Sequence, residues 1–142
     1  MGRRKVCESN DLLPKATESL PKKRTASIES RYQSELKKLQ RLTKGAIPDE
    51  KRSAVLPLMS NIAFLKVKLD EARRELMYES IFTEYDNGGG QSGLREHPGF
   101  SSYNKLFTTF SRGIKQLTDM MPSGSTAGDA LIDYLNETRF GG

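Results

Sequence analysis

Residues 85–100 read YDNGGGQSGLREHPGF, and this stretch decides the fold because it separates two long segments in which apolar residues recur periodically. Asn and Gly adopt positive φ at low cost, so DNGG at residues 86–89 is typical of a tight turn. The side chains of residues 81–85 would alternate between the two faces of a strand, and residues 91–95 could form the antiparallel partner strand. The sequence therefore predicts a β-hairpin at about residues 81–96. Two strands alone are marginally stable, so we expect the hairpin to lean on a helix or a neighbouring subunit.

The clustered glycines raise the alternative of a phosphate-binding loop, but their surroundings argue against it. A Walker-type loop needs Gly-x-x-x-x-Gly-Lys-Ser/Thr, whereas here Gly93 is followed by Leu94. Gly88, Gly90 and Gly93 match the spacing of a dinucleotide fingerprint, yet no βαβ unit surrounds them. The glycines are therefore predicted to turn the chain. His97, the only histidine, is predicted to cap or pack at the start of the next helix.

Two long helices are predicted, one on each side of the hairpin. Each carries an apolar seam whose members recur at alternating spacings of three and four. The first seam comprises Val55, Leu58, Ile62, Leu65, Leu69, Ala72 and Leu76, and the second comprises Phe100, Tyr103, Phe107, Phe110, Ile114, Leu117 and Met121. Asp49 is the predicted cap of the first helix. Pro57 lacks an N–H and predicts a kink or a restart near residue 53.

Shorter elements are predicted at both ends of the chain. Residues 1–26 lack periodicity and are predicted to be a basic flexible arm. A shorter N-terminal helix is predicted from a cap at Ser27 to a stop at Gly45. It opens a helical core and oligomerisation domain at residues 27–122. Residues 123–142 are predicted to be a linker and a short C-terminal partner-binding helix, with one face formed by Leu131, Tyr134 and Leu135.

The predicted fold class is mainly α: two long antiparallel helices, a shorter N-terminal helix and a small β-hairpin between the long helices, in a ring-forming oligomer. The fourteen seam positions need burial, because a large apolar side chain contributes about 1.5–3 kcal/mol when buried. A large exposed apolar patch usually marks an interface. The predicted interface residues are Ile62, Leu65, Leu69, Leu76, Phe107, Phe110 and Ile114. The alternative is a self-sufficient bundle with the first helix as its lid.

The charge of the chain is distributed unevenly. The net charge is +5, but residues 1–45 hold twelve Lys/Arg against five Asp/Glu, and residues 46–142 hold eleven against thirteen. Such a gradient indicates an anionic partner at the N-terminal end, although a solvated basic tail is the simpler alternative. The candidate DNA-binding residues are Lys22, Lys23, Arg24, Arg31, Lys37, Lys38, Arg41 and Lys44.

Several classes of function are disfavoured by what the sequence lacks. A single histidine and a single cysteine, Cys7, cannot form a zinc cluster, and no catalytic constellation is evident. We therefore predict no enzyme, no cofactor and no metal site. No apolar run reaches the ~18 residues that a membrane helix needs. The first residues do not resemble a secretory signal, and the lone cysteine fits a reducing cytoplasm.

Two segments, in this order, resemble the small subunits of the terminases that package DNA in tailed bacteriophages. The first is IPDEKRSAVLPLMSNIAFLKVKLDEARREL at residues 47–76, and the second is YDNGGGQSGLREHPGFSSYNKLFTTFSRGIKQLTDMMP at residues 85–122. The basic front of the chain and its short terminal helix match the same order. Residues 1–45 contain no clear helix-turn-helix, which such subunits often carry for binding DNA.

The resemblance implies a non-enzymatic subunit of a DNA-packaging motor in the cytoplasm of the host cell. Such subunits form rings, bind double-stranded genome DNA, and recruit or regulate the large subunit, which holds the ATPase and nuclease. By analogy, Leu131, Tyr134 and Leu135 would contact the large subunit, and no membrane is expected as a partner. The alternative function is a dimeric helical DNA-binding transcription regulator or adaptor. An ATP-using enzyme and a membrane-surface protein are less favoured.

Overall fold

The computed structural model describes residues 22–140, with side chains for residues 27–138. Within that range the chain is mainly helical, with one small antiparallel hairpin, which confirms the mainly α part of the predicted class. The elements in chain order are α1 (Lys22–Leu42), α2 (Asp49–Leu76), β1 (Phe82–Asp86), β2 (Ser92–Glu96), α3 (Pro98–Asp119) and α4 (Thr126–Phe140). The N-terminal helix is not markedly shorter than both long helices, since α1 has 21 residues and α3 has 22. The arm predicted at residues 1–26 lies outside the described residues up to residue 21.

The helix boundaries differ from the predictions at three points. α1 begins at Lys22, five residues before the predicted cap at Ser27, because residues 22–26 include no strong helix breaker. Asp49 is the first residue of α2 rather than its cap, and the residue before it is Pro48. The restart predicted near residue 53 does not occur, since Pro57 lies inside one continuous helix. Ser53, whose carbonyl loses the Pro57 donor, is exposed to water.

The hairpin forms where the glycines predict it. β1 and β2 pair antiparallel in the register Phe82↔Glu96, Glu84↔Leu94 and Asp86↔Ser92. The three glycines of the turn have φ values of 78°, 63° and 80°, a region in which a side chain is strained. The Asp86 carboxylate accepts a hydrogen bond from the Gly88 N–H at 2.8 Å. The glycines thus turn the chain, as predicted.

The two long helices run antiparallel, as predicted, and three contacts fix their alignment. A side chain built at Gly99 would meet Leu76, Arg73 binds the Tyr103 hydroxyl at 3.0 Å, and a side chain built at Gly113 would meet Ile62. Residue numbers on α3 therefore rise as those on α2 fall. At Gly113 an added Cβ would lie 3.0 Å from the Ile62 Cγ1, so the missing side chain permits close approach of the helices.

The C-terminal helix completes the core instead of extending away from it. Leu131 is fully buried and Tyr134 is 2% exposed, which places most of the predicted partner-binding face inside the bundle. Tyr134 donates a hydrogen bond to the Glu35 carboxylate on α1 at 2.7 Å, and its ring lies 6.1 Å from the Phe110 ring on α3. Leu135 is half-buried against the same core. α4 is thus a docked fourth helix because α1 and α3 leave an apolar surface that it covers.

Most of the residues predicted to join copies of the chain are buried within a single copy. Ile62, Leu65, Leu69, Phe110 and Ile114 have between 0% and 5% of their surface exposed. Leu76 and Phe107 are half-buried. The reason is that α1 and α4 cover the paired seams of α2 and α3. A single copy therefore buries these seams by itself, as in the alternative of a self-sufficient bundle, with both α1 and α4 as covers. A second copy would have to contact other residues.

Candidate nucleic-acid interface

A groove of about 680 Å³ lies between the C-terminal half of α1 and the N-terminal half of α2. Its floor is apolar: Ile47 and Met59 are buried, whereas Leu56 is 43% exposed. Its rim is cationic. We call this feature the basic groove and define its rim by Lys37, Arg41, Lys44 and Arg52.

Lys37 and Arg41 lie on one face of α1, and Lys44 lies in the turn that follows this helix. Lys37 and Arg41 stand at positions i and i+4, so they are neighbours on the helix surface, about 6 Å apart along its axis. All three residues line the basic groove. All three are exposed. The opposite side of α1 carries Leu36 and Leu39, which pack in or against the core and fix this orientation.

Three cations of the rim, Lys37, Arg41 and Lys44, are open to an anionic partner. Within residues 27–138, no carboxylate lies within 4 Å of Lys37, Arg41 or Lys44. Arg52 pairs with Asp49 at 3.1 Å, but the Asp49 side chain is 87% exposed, so this surface pair is weak. Arg52 was missed by the sequence reasoning because it lies outside the basic N-terminal third. The available signal was Lys51-Arg52 in the first turn of α2, next to the turn that returns toward α1.

Other predicted DNA-binding residues are engaged elsewhere or not described. Arg31 lies 3.7 Å from Asp70 on α2, and Lys38 pairs with Glu137 on α4 at 3.1 Å. The Lys38 ammonium also lies over the Tyr134 ring, 5.1 Å from its centre. Lys22, Lys23 and Arg24 belong to α1, but their side chains lie outside the described residues. The structure thus gathers Lys37, Arg41 and Lys44 and separates them from Arg31 and Lys38.

The chemistry of the groove suits a phosphate backbone better than stacked bases. Among residues 27–138 its lining contains neither an aromatic side chain nor a carboxylate, and it includes the polar side chains of Ser34, Gln40 and Ser53. Binding of single strands normally uses aromatic stacking, whereas duplex binding depends chiefly on Lys and Arg meeting phosphates. Such contacts position a protein on DNA without reading its sequence.

Two further groups could attract a catalytic interpretation, and both have structural roles. The His97 Nδ1 accepts a hydrogen bond from the Gly99 N–H at 3.0 Å, so His97 caps α3, as predicted. Burial, together with the neighbouring Glu35 carboxylate, raises the pKa of Tyr134 well above its ordinary value. Tyr134 therefore stays protonated and donates to Glu35. In the part of the chain that the structure describes, no group of three His, Cys, Asp or Glu residues could hold a metal ion.

Comparisons with protein-family models, curated proteins and solved structures found no match to this chain. Of the helices described at residues 22–140, none combines the length and apolar character needed to cross a membrane.

Proposed function

We propose that this protein is the DNA-binding, non-enzymatic small subunit of a viral DNA-packaging terminase. The observation that carries the proposal is the basic groove, where the exposed cations Lys37, Arg41 and Lys44 line one edge without a carboxylate partner among the described residues. The order of the helix, hairpin and helix segments supports it through the resemblance noted above. In this role the protein binds double-stranded genome DNA in the host cytoplasm, and the large subunit supplies ATP hydrolysis and cleavage.

The proposed contact with DNA is electrostatic. Lys37, Arg41 and Lys44 meet successive phosphates along one groove edge, and Arg52 approaches from the other side. Each phosphate neutralised releases counterions, which lowers the slope of log K against log salt by about 0.9. In an assembly of identical copies, each groove that is not occupied by a neighbouring copy would add another such contact.

The proposed contact with the large subunit moves to the outer face of α4. Leu131 and Tyr134 are occupied by the core, so they are not available to a partner while the bundle is closed. The outer face presents Ile132, which is 48% exposed, beside the exposed Asp133 and Asn136. We therefore assign this outer face, rather than the buried one, to the large subunit.

The test replaces Lys37, Arg41 and Lys44 together by alanine and measures duplex binding between 50 and 200 mM salt. Because the triple variant cannot meet these three phosphates, the slope should become less negative by about 2.7, so that the salt-dependent change in affinity across this range shrinks roughly 40-fold. The matched control is Lys38→Ala, which removes a neighbouring charge that already pairs with Glu137. Its slope should stay close to that of the wild type.

An unchanged slope in the triple variant would exclude the basic groove as the DNA site. If Lys38→Ala changed the slope by as much as each residue of the triple variant does, the effect would come from the loss of net charge and not from a specific contact in the groove. A two-fold assembly that protects a palindromic site would favour the alternative, a dimeric transcription regulator or adaptor. ATP turnover by the isolated chain would contradict the non-enzymatic role.

A further inference from the structure

One face of the β-hairpin is exposed along its whole length. Residues paired across the two strands point to the same side of the sheet, so the register groups the alternate residues of β1 with those of β2. We call this group the hairpin face; it comprises Phe82, Glu84, Asp86, Ser92, Leu94 and Glu96. All six are exposed, whereas Thr83, Tyr85 and Gly93 on the opposite face are half-buried.

The hairpin face is both acidic and apolar. Glu84, Asp86 and Glu96 supply three carboxylates, and no cation lies within 4 Å of them among residues 27–138. Phe82 and Leu94 are 59% and 69% exposed. Arg95 pairs with Thr83 in the register and therefore belongs to the other face. An isolated two-stranded sheet is only marginally stable, so packing of a partner against this face would stabilise the hairpin.

The basic groove has the complementary character. Its rim is cationic, its floor is apolar, and the exposed Leu56 gives Phe82 or Leu94 a surface to pack against. Glu84 and Asp86 lie about 7 Å apart along their strand, and Lys37 and Arg41 lie about 6 Å apart along their helix. We propose that the hairpin face of one copy docks in the basic groove of a second copy.

The groove of the same chain is out of reach. Leu56 in the groove and Leu76 before the hairpin are separated by twenty residues of continuous helix, or about 30 Å. The occupant is therefore a different molecule, and every copy carries both complementary surfaces. Because those surfaces differ, the contact is head-to-tail, which closes into a ring or extends into a filament.

This contact depends on charge and shape alone and requires no DNA. Its consequence for DNA does rest on the function proposed above: a neighbouring hairpin and a duplex would compete for Lys37, Arg41 and Lys44. Addition of duplex to the assembled protein should then release hairpin faces from grooves.

The test uses two charge-reversed variants of the full chain and sedimentation at low and high salt. The hairpin-reversed variant carries Glu84→Lys, Asp86→Lys and Glu96→Lys, and the groove-reversed variant carries Lys37→Glu, Arg41→Glu and Lys44→Glu. All six positions are exposed, so the fold should persist, as circular dichroism will check. Wild-type protein should associate more weakly as salt rises, and each variant alone should associate at least about tenfold more weakly.

The decisive sample is an equimolar mixture of the two variants. Each hairpin then meets a groove of opposite charge, so the mixture should regain species of at least twice the monomer mass. A mixture that stays monomeric would overturn the proposal, and so would wild-type protein that is monomeric at every concentration. Association lost in the hairpin-reversed variant but kept in the groove-reversed one would indicate hairpin-to-hairpin pairing and would also overturn it.

A separate measurement distinguishes this proposal from the DNA-binding one. The hairpin-reversed variant keeps its groove cations and should bind duplex at least as well as the wild type. If it binds no duplex while the mixture still restores association, the proposed function fails and the head-to-tail contact stands. If it binds duplex while the mixture stays monomeric, the contact fails and the proposed function stands.

Discussion

Replacing Leu131 by alanine should destabilise the protein by about 3 kcal/mol, because it would leave a cavity where α4 meets the core. Leu131 has no exposed surface, and truncation of a fully buried leucine costs about 2–5 kcal/mol through lost burial and the space left behind. The matched control is Ile132→Ala at the next position of the same helix. Ile132 is 48% exposed, so its truncation should cost below about 1 kcal/mol.

Urea unfolding followed by far-ultraviolet circular dichroism measures this difference directly. With a denaturant slope of about 1–3 kcal/mol/M, Leu131→Ala should lower the midpoint by about 1–3 M, and Ile132→Ala by less than about a third of that shift. The slopes of all three proteins should agree if unfolding is two-state. Alanine is the best helix former, so lost helix propensity cannot explain a large effect at either position.

Equal midpoints for the two variants would refute this reasoning. That result would mean that Leu131 is as accessible in solution as Ile132 and that α4 is detached from the bundle. The C-terminal segment would then be the linker and partner-binding helix that its sequence alone predicts, and its apolar face would be open to a partner.

Two further predictions concern Tyr134 and His97. Burial and the Glu35 carboxylate raise the pKa of Tyr134. The contribution of its protonated form to the free energy of unfolding is therefore complete below about pH 10 and is lost as the pH rises above that value. The unfolding free energy of the wild type should therefore fall relative to Tyr134→Phe by up to ~1.4 kcal/mol per pH unit above pH 10, and parallel pH profiles would contradict this. His97→Ala removes the acceptor for the Gly99 N–H and should cost about 1 kcal/mol in thermal or urea unfolding, whereas an unchanged midpoint would mean that the cap contributes nothing.

The parts of the fold that sequence predicts well are those set by local chemistry. The hairpin turn follows from consecutive glycines that accept positive φ, and its strands lie within the predicted range. The antiparallel pairing of α2 and α3 follows from two seams of equal period joined by a hairpin whose ends meet, since the His97 N–H donates to the Ile81 carbonyl at 2.7 Å. The start of α1 was less predictable, because Ser27 is a competent cap but residues 22–26 also favour helix.

The features that could not be predicted from the sequence depend on which helix faces pack against each other in the tertiary structure. The apolar face of α4 has the same pattern whether it covers its own core or a partner, and in a single copy Leu131 and Tyr134 are buried in the core. Lys37 and Lys38 are neighbours in sequence but point about 100° apart on a helix, and one faces the groove while the other faces α4. Arg52 joins the groove only through the α1–α2 turn.

The contacts between α1 and α4 affect how quickly the chain can fold. Most helix contacts join elements that are neighbours along the chain, namely α1 with α2, α2 with α3 and α3 with α4. The pairs Glu35–Tyr134 and Lys38–Glu137 each span 99 residues and bring the two ends of the described chain together. Proteins dominated by short-range contacts fold in microseconds to milliseconds. The α1–α4 contact therefore closes the longest of these loops, and each doubling of loop length adds only about 0.6 kcal/mol to the entropic cost.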